Sequence, residues 1–294
     1  MSDTSIASIP AERPMPPLTI ALLAAVKAAC AQLATRFVLA GATARDIQFE
    51  HLHGVRAFTA TRDVDVAVCA VSWDFHERLI EHLLASGQFT RDAKAQQKLI
   101  FRRTGDTFGV QLDLVPFGPI EAPPGAIAWP PDGDFIMNVL GFQEAVDTAQ
   151  PVNIGEGVVV PVVTVPAYVL LKLMAWQDRR ATKNTDASDL LFVLLRYSHA
   201  GNTRRVFDVA HDLLESNDHN IEIACAGMLA REARAIALPE TLAAVRAILQ
   251  TPKTLALLKD DLFARAAQFF IGAANSDPDA LLDAFASQFC DPRP

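Results

Sequence analysis

Apolar positions recur along the chain with two different periods, and the change of period divides it. From Leu18 to Ala34, the residues Leu22, Leu23, Val26, Ala29, Cys30 and Leu33 fall at helical spacing. Phe37 to Ala40 is a short apolar strand stopped by Gly41, and a helical stretch over Ala42 to Phe49 follows it. His51 to Thr61 reads as loop. Val64 to Val71 is dense in valine and predicts a strand, while Trp73 to Ser86 returns to helical spacing through Phe75, Leu79, Ile80, Leu83 and Leu84. Lys98–Arg103 and Phe108–Val115 are β-type runs joined by Thr104-Gly-Asp-Thr107, whose turn chemistry predicts a hairpin. Pro116 to Gly133 is rich in Pro and Gly and reads as loop. Val158 to Val165 gives a last strand, bounded by Pro161 and Pro166, and everything beyond has helical spacing, with Glu222–Leu238 and Pro239–Leu249 as examples. The expected architecture is α/β (α+β): a mixed sheet with flanking helices over residues 18–165, then a helical domain over residues 166–294.

Composition narrows the class. The 294 residues are 51% hydrophobic and 20% charged, enough for a substantial core. No window reaches the apolar length of a membrane span, and the start lacks the basic residues and apolar run of a signal peptide. Residues 1–17 read as a frayed lead-in, and the expected location is cytoplasmic with no membrane partner. Cys30, Cys69, Cys225 and Cys290 stand far apart without a C-x-x-C pair, so they read as small hydrophobes rather than as a zinc site or disulfide framework. The His51-x-His53 pair has no second ligand pair and reads as polar loop. A net charge of −8 excludes a surface given over wholly to nucleic acid. It leaves room for a local basic patch around Arg102, Arg103, Arg179, Arg180 and Lys183, or for an ordinary solvated rim.

Three elements carry candidate chemistry. Asp63-Val-Asp65 opens a strand, so its two carboxylates share one face while Val64, Val66 and Val68 take the other. Such a pair repels itself unless a cation sits between, and Mg²⁺ prefers oxygen ligands and keeps triphosphate oxygens in its shell. Gln111-Leu-Asp113-Leu-Val115 places Asp113 opposite a face of Val110, Leu112 and Leu114. Beside the first strand it makes a three-carboxylate cluster able to hold two metals, one on an attacking hydroxyl and one on phosphates. In Ala40-Gly-Ala-Thr-Ala-Arg45 a strand runs through Gly41 into a helix. Gly41 permits close approach of a ligand, helix-start amides attract phosphate, Thr43 adds a hydroxyl and Arg45 a charge. Thr43 acting as a plain N-cap is the simpler alternative. Neither a P-loop nor a G-x-G-x-x-G is present.

The order of these elements, with Ala40-Gly-Ala-Thr-Ala44, Thr61-Arg-Asp63-Val-Asp65 and Leu112-Asp113-Leu114, resembles the AbiEii/AbiGii-type toxin family of the polymerase-β-like nucleotidyltransferase superfamily. The family's turn begins Gly-Gly or Gly-Ser; here the second residue is Ala42, still small. Lys172 through Arg179, followed by Asp186-x-x-Asp189, is similar to the family's later motif, and the resemblance spans residues 36–195. It implies a nucleotidyltransferase-fold sheet and transfer of NMP from an NTP. It also implies Mg²⁺ or Mn²⁺ on Asp63, Asp65 and Asp113, and nucleotide binding by Gly41, Ala42, Thr43, Arg45, Arg62, Arg179 and Asp186. Lys172 would then contact phosphate or an acidic neighbour, and Asp189 would orient the lysine or help to activate the acceptor. The implied acceptor is a tRNA 3′ end or a protein, with a cognate antitoxin as partner. A small-molecule, antibiotic-type nucleotidyltransferase and a non-catalytic nucleotide- or partner-binding protein on the same fold are the competing readings.

Overall fold

The computed structural model describes residues 6–57, 63–92, 98–183, 185–266 and 276–291. The chain divides into two compact units, Met1–Gly54 with Thr59–Thr164, and Val55–Phe58 with Val165–Pro294. No described helix is long and apolar enough to cross a membrane.

The first unit runs β1 (Ala7–Ser8), α1 (Pro17–Gln32), β2 (Phe37–Ala40), α2 (Gly41–Asp46) with a π-helical turn over Ile47–His51, β3 (Asp63–Cys69) and α3 (Trp73–Ala85). It continues through β4 (Phe89–Arg91), β5 (Lys98–Phe101), β6 (Val110–Phe117), β7 (Ala126–Ala128), β8 (Ile136–Asn138), α4 (Phe142–Asp147), β9 (Gln150–Asn153) and β10 (Val159–Val162). Eight strands form one mixed sheet in the order β1-β9-β10-β2-β3-β6-β5-β4, and β7 and β8 pair separately. β3 lies antiparallel to β2 and parallel to β6, and β6 is antiparallel to β5. Val64, Val66 and Val68 of β3, Leu112 and Leu114 of β6, and Leu99 and Phe101 of β5 are all buried, and α1 packs against α3 and β6. The alternate residues of the same strands, Asp63, Asp65, Gln111, Asp113, Lys98 and Ile100, are only half-buried. Around these residues of β3, β5 and β6, one sheet face is therefore core and the other is within reach of solvent.

Three expectations are corrected. Residues 7–8 are not lead-in, because β1 pairs in parallel with β9, Ala7 opposite Val152. Pro116 does not end the second hairpin strand. β3 pairs with β6 through Phe117, and Pro116 lies inside the strand opposite Val68. β7 lies inside the segment read as loop and pairs with β8 just beyond it. Pro161 lies inside β10 opposite Pro151 of β9 rather than bounding it. Ile154 donates to the Val158 carbonyl at 2.9 Å, and bonded pairs alternate along an antiparallel ladder, so the two prolines face each other at a pair that needs no N–H.

The second unit is helical: α5 (Val165–Arg179), α6 (Thr185–Arg196), a π-helical turn over Ser198–Asn202, α7 (Thr203–Val209), α8 (His211–Ser216), α9 (Ile221–Ile236), α10 (Pro239–Gln250), α11 (Pro252–Ala266) and α12 (Pro278–Cys290). Pro166 falls in the first turn of α5, where its missing N–H costs no helical bond. Trp176, Phe192, Phe285 and Phe289 are fully buried in this unit's core.

Leu112 is fully buried in the strand between β3 and β5. Leu112→Ala is expected to cost about 3 kcal/mol, read as a lowered denaturant midpoint with an unchanged slope. An unchanged midpoint would contradict the core described here.

Candidate active site and metal centre

Strand alternation sets Asp63 and Asp65 on the accessible face of β3, and the parallel register with β6 sets Asp63 opposite Gln111 and Asp65 opposite Asp113. One carboxylate oxygen from each of Asp63, Asp65 and Asp113 lies within 4.8 Å of the others. On the far side of β6, Lys98 of β5 stands opposite Asp113. Its Nζ is 3.1 Å from Asp113 Oδ2, and Gln111 Nε2 donates to Asp113 Oδ1 at 3.0 Å. The donor set is all oxygen and anionic, which fits a hard divalent cation such as Mg²⁺ or Mn²⁺ and not a thiolate- or imidazole-seeking metal. No other metal-competent cluster occurs among the described residues. His51 and His53 are not brought into one, and His51 Nδ1 lies 2.7 Å from the Arg13 carbonyl.

The turn after β2 is built against this cluster. Ala40 pairs with Asp65, and Gly41 follows with φ +62°, the left-handed region that favours glycine. A Cβ added at Gly41 would lie 1.9 Å from Asp65 Oδ2 and 2.5 Å from its Cγ. The backbone at 41 therefore occupies space that any side chain would take from the carboxylate. Thr43 is inside α2 rather than capping it, and its hydroxyl donates to the Asp63 carbonyl at 3.0 Å. Gly41 and Thr43 are thus joined to the aspartate strand, with the half-buried Ala42 between them. Arg45 is different: its side chain is buried, and Nε and Nη2 both donate to Asp46 Oδ1, at 2.9 and 2.7 Å. Burial pushes the Asp46 carboxyl up, and the Arg45 charge only partly opposes this. Arg62 lies outside the described residues.

The later motif forms a second cluster, within the helical unit. Lys172 of α5 donates to Asp189 and Asp186 of α6, at 2.6 and 3.0 Å. Arg179, two turns along α5, grips Asp186 through Nε at 2.6 Å and Nη2 at 2.8 Å. Asp186 is 0% exposed, and Lys172 and Asp189 are also buried. Burial opposes the charge on Asp186, but hydrogen bonds and charge from Arg179 and Lys172 outweigh it and hold the carboxyl below its ordinary value. Burial likewise opposes the Lys172 charge, but Tyr168, Asp189 and Asp186 around it hold the ammonium above the ordinary lysine value. Trp176 shares the helical face but joins a different partner: its Nε1 donates to Asp261 Oδ2 at 2.8 Å, beside Arg180 Nε at 3.1 Å. Lys98, Gln111 and Asp261 are partners that sequence reasoning missed.

A family model, "Nucleotidyl transferase AbiEii toxin, Type IV TA system", matches residues 21–285. No curated protein matches the chain. Among solved structures, an antigenic nucleotidyltransferase-like protein from Paracoccidioides brasiliensis is 18% identical with a TM-score of 0.41, covering 62% of this chain and 77% of that one. The antibiotic-resistance factor ANT(2″)-Ia is 16% identical with a TM-score of 0.37, covering 70% and 99%. The Thermotoga maritima CCA-adding enzyme, solved with tRNA, is 11% identical with a TM-score of 0.25, covering 94% and 80%.

Two outcomes follow from this geometry. Gly41→Ala should destabilise the protein by about 2 kcal/mol or more, through left-handed strain and the clash with Asp65. Adding Asp65→Ala should recover part of that loss in a melting experiment, because the two residues compete for one space; strictly additive losses would refute the contact. Asp186, with its folded value lowered, contributes stability that is fully present above the ordinary carboxylate range and is lost as pH falls through the folded value. Asp186→Asn should therefore cost about 3 kcal/mol at neutral pH and flatten the acid limb of the stability–pH curve. A parallel downward shift at every pH would contradict this.

Proposed function

This chain belongs to the AbiEii nucleotidyl transferase toxin family, and from that premise we propose that it transfers NMP from an NTP to an acceptor hydroxyl in a reaction that depends on a divalent cation. The observation that carries the reading is the cluster of Asp63, Asp65 and Asp113 packed against the Gly41 turn. Mg²⁺ or Mn²⁺, when bound, supplies charge neutralisation of the triphosphate and activation of the acceptor hydroxyl. Asp63 and Asp65, fixed on one face by strand alternation, hold the cations. Asp113 completes the set and would hold the cation that activates the acceptor hydroxyl, or serve as its base. The acceptor oxygen bonds to the α-phosphorus, the bond from that phosphorus to the bridging oxygen breaks, and pyrophosphate leaves with its electron pair. The turn from Gly41 through Ala42 and Thr43 offers backbone amides to the β- and γ-phosphates, and the absence of a Cβ at Gly41 lets the chain approach them. Arg45 stiffens the helix behind the turn through Asp46. Arg62, directly before Asp63, is assigned to nucleotide contact on the family motif alone.

In the helical unit, Asp189 orients Lys172, and Arg179 with Asp186 fixes the second anchor of the same helix pair. This assigns Lys172 and Asp189 a shared positioning role as one unit, because neither is placed without the other. The acceptor class suggested by the resemblance is a tRNA 3′ end, with a protein side chain next. A cognate antitoxin and a cytoplasmic setting accompany that reading.

The test is incubation with each α-labelled NTP, a divalent cation, and total RNA or cell protein. Label should enter one acceptor class and pyrophosphate should be released. Asp65→Ala should cut the rate by about 10³-fold or more, given several kcal/mol of metal-derived stabilisation. A melting curve should show that this variant is folded, so that the loss of rate reports on the site and not on unfolding. Nucleotide binding with no pyrophosphate and no label would favour the non-catalytic reading instead.

A further inference from the structure

Asp113 meets two side chains of its own chain, and they differ in kind. Gln111 reaches Oδ1 as a neutral donor from the same strand, and Lys98 reaches Oδ2 as a full positive charge from the neighbouring strand. The lysine is there because of register: Lys98 pairs with Asp113, which pairs in turn with Asp65, so the three lie in one row across β5, β6 and β3. The Lys98 side chain is 28% exposed and that of Asp113 15%, so the pair is partly open to solvent. Lys98 also shares its strand face with Ile100.

We infer that Lys98 is a counter-cation of the acidic cluster that a divalent metal displaces, and that the released ammonium becomes a ligand for the phosphates of the bound nucleotide. The inference rests on the nucleotidyl-transfer reading above and adds a residue that the family motifs do not contain. Two cations of the same sign compete for Asp113 Oδ2, so Lys98 weakens metal binding at the cluster. Once a metal holds the carboxylate, the ammonium is repelled from it and attracted to the triphosphate, whose charge is opposite. Lys98 thus makes the metal alone bind less tightly and the metal with nucleotide bind more tightly. It couples the two events, as a shared charge must. A purely structural lysine would shift both affinities in the same direction.

The experiment uses the full chain and two titrations. Mn²⁺ is titrated first without nucleotide, by electron paramagnetic resonance, into the wild type, Lys98→Met, Lys98→Gln and Lys98→Arg. Removing the charge should tighten Mn²⁺ binding about fivefold or more, while Lys98→Arg stays within about twofold of wild type. Non-hydrolysable ATP and CTP analogues are then titrated into the Mn²⁺-saturated proteins, where Lys98→Met and Lys98→Gln should bind about tenfold more weakly. Melting curves identify a misfolded variant, and two neutral substitutions keep the test open if one fails to fold. Unchanged or weaker Mn²⁺ binding in the neutral variants overturns the inference, as does a shift of both affinities in one direction. Wild-type protein that binds no Mn²⁺, or binds it equally well as Asp65→Ala, sinks the metal-dependent reading itself.

Discussion

The parallel pairing of β3 with β6 is the constraint on which the candidate site depends. Side chains alternate along a strand, so a slip of one residue would turn Asp113 into the core and Leu112 or Leu114 out to the face of Asp63 and Asp65. The buried partners make that slip costly: Val64, Val66, Leu112 and Leu114 are each 2% exposed or less, and moving them outward would forfeit apolar burial worth about 1.5 to 3 kcal/mol apiece. The hydrophobic face of the sheet thus fixes the acidic face. Carboxylates that repel one another are held on one face by residues whose side chains point to the other.

That arrangement spends stability on geometry. Three carboxylates with oxygens within 4.8 Å raise one another's energy, and the molecule answers with contacts aimed at specific oxygens. Gln111 and Lys98 take the two oxygens of Asp113. Thr43 ties the turn to the Asp63 carbonyl, and Gly41 leaves room for Asp65 where any other residue would collide with it. A strand pair of plain surface acids would require none of this. The left-handed glycine is the clearest mark, because its conformation and its missing Cβ are both used at one spot.

Much of this layout is legible in the sequence. The valine-rich strand, the alternation in Gln111-Leu-Asp113-Leu-Val115 and the Gly41 stop each have a local cause, so they survive reading without a structure. The Thr104–Thr107 turn, drawn symmetrically, already implies that Lys98 faces Asp113, yet the lysine carries no motif and is passed over unless the hairpin is counted residue by residue. Other features were hidden for physical reasons. Pro161 lies inside a strand because a non-bonded pair tolerates a missing N–H, and that condition is not visible before the partner strand is known. The use of Arg45 on Asp46 was equally hidden, since a buried arginine beside an acid looks the same in sequence as one that faces a ligand.

The two charged clusters, one in each unit, solve opposite problems. Lys172, Arg179, Asp186 and Asp189 set two cations against two carboxylates, and three of the four are buried. A buried pair of this kind gains little over a well-packed apolar one, but losing one member is expensive, so its use is to fix geometry rather than to add stability. For Lys172 to touch a phosphate directly, it would have to leave carboxylates at 2.6 and 3.0 Å in a largely buried place. Its position therefore favours holding α5 against α6 over meeting a ligand. Asp63, Asp65 and Asp113 remain half-buried on an accessible sheet face, where a cation or a triphosphate can arrive without unfolding anything. The acidic cluster is the one that solvent reaches more freely, and the largely buried cluster ties α5 to α6.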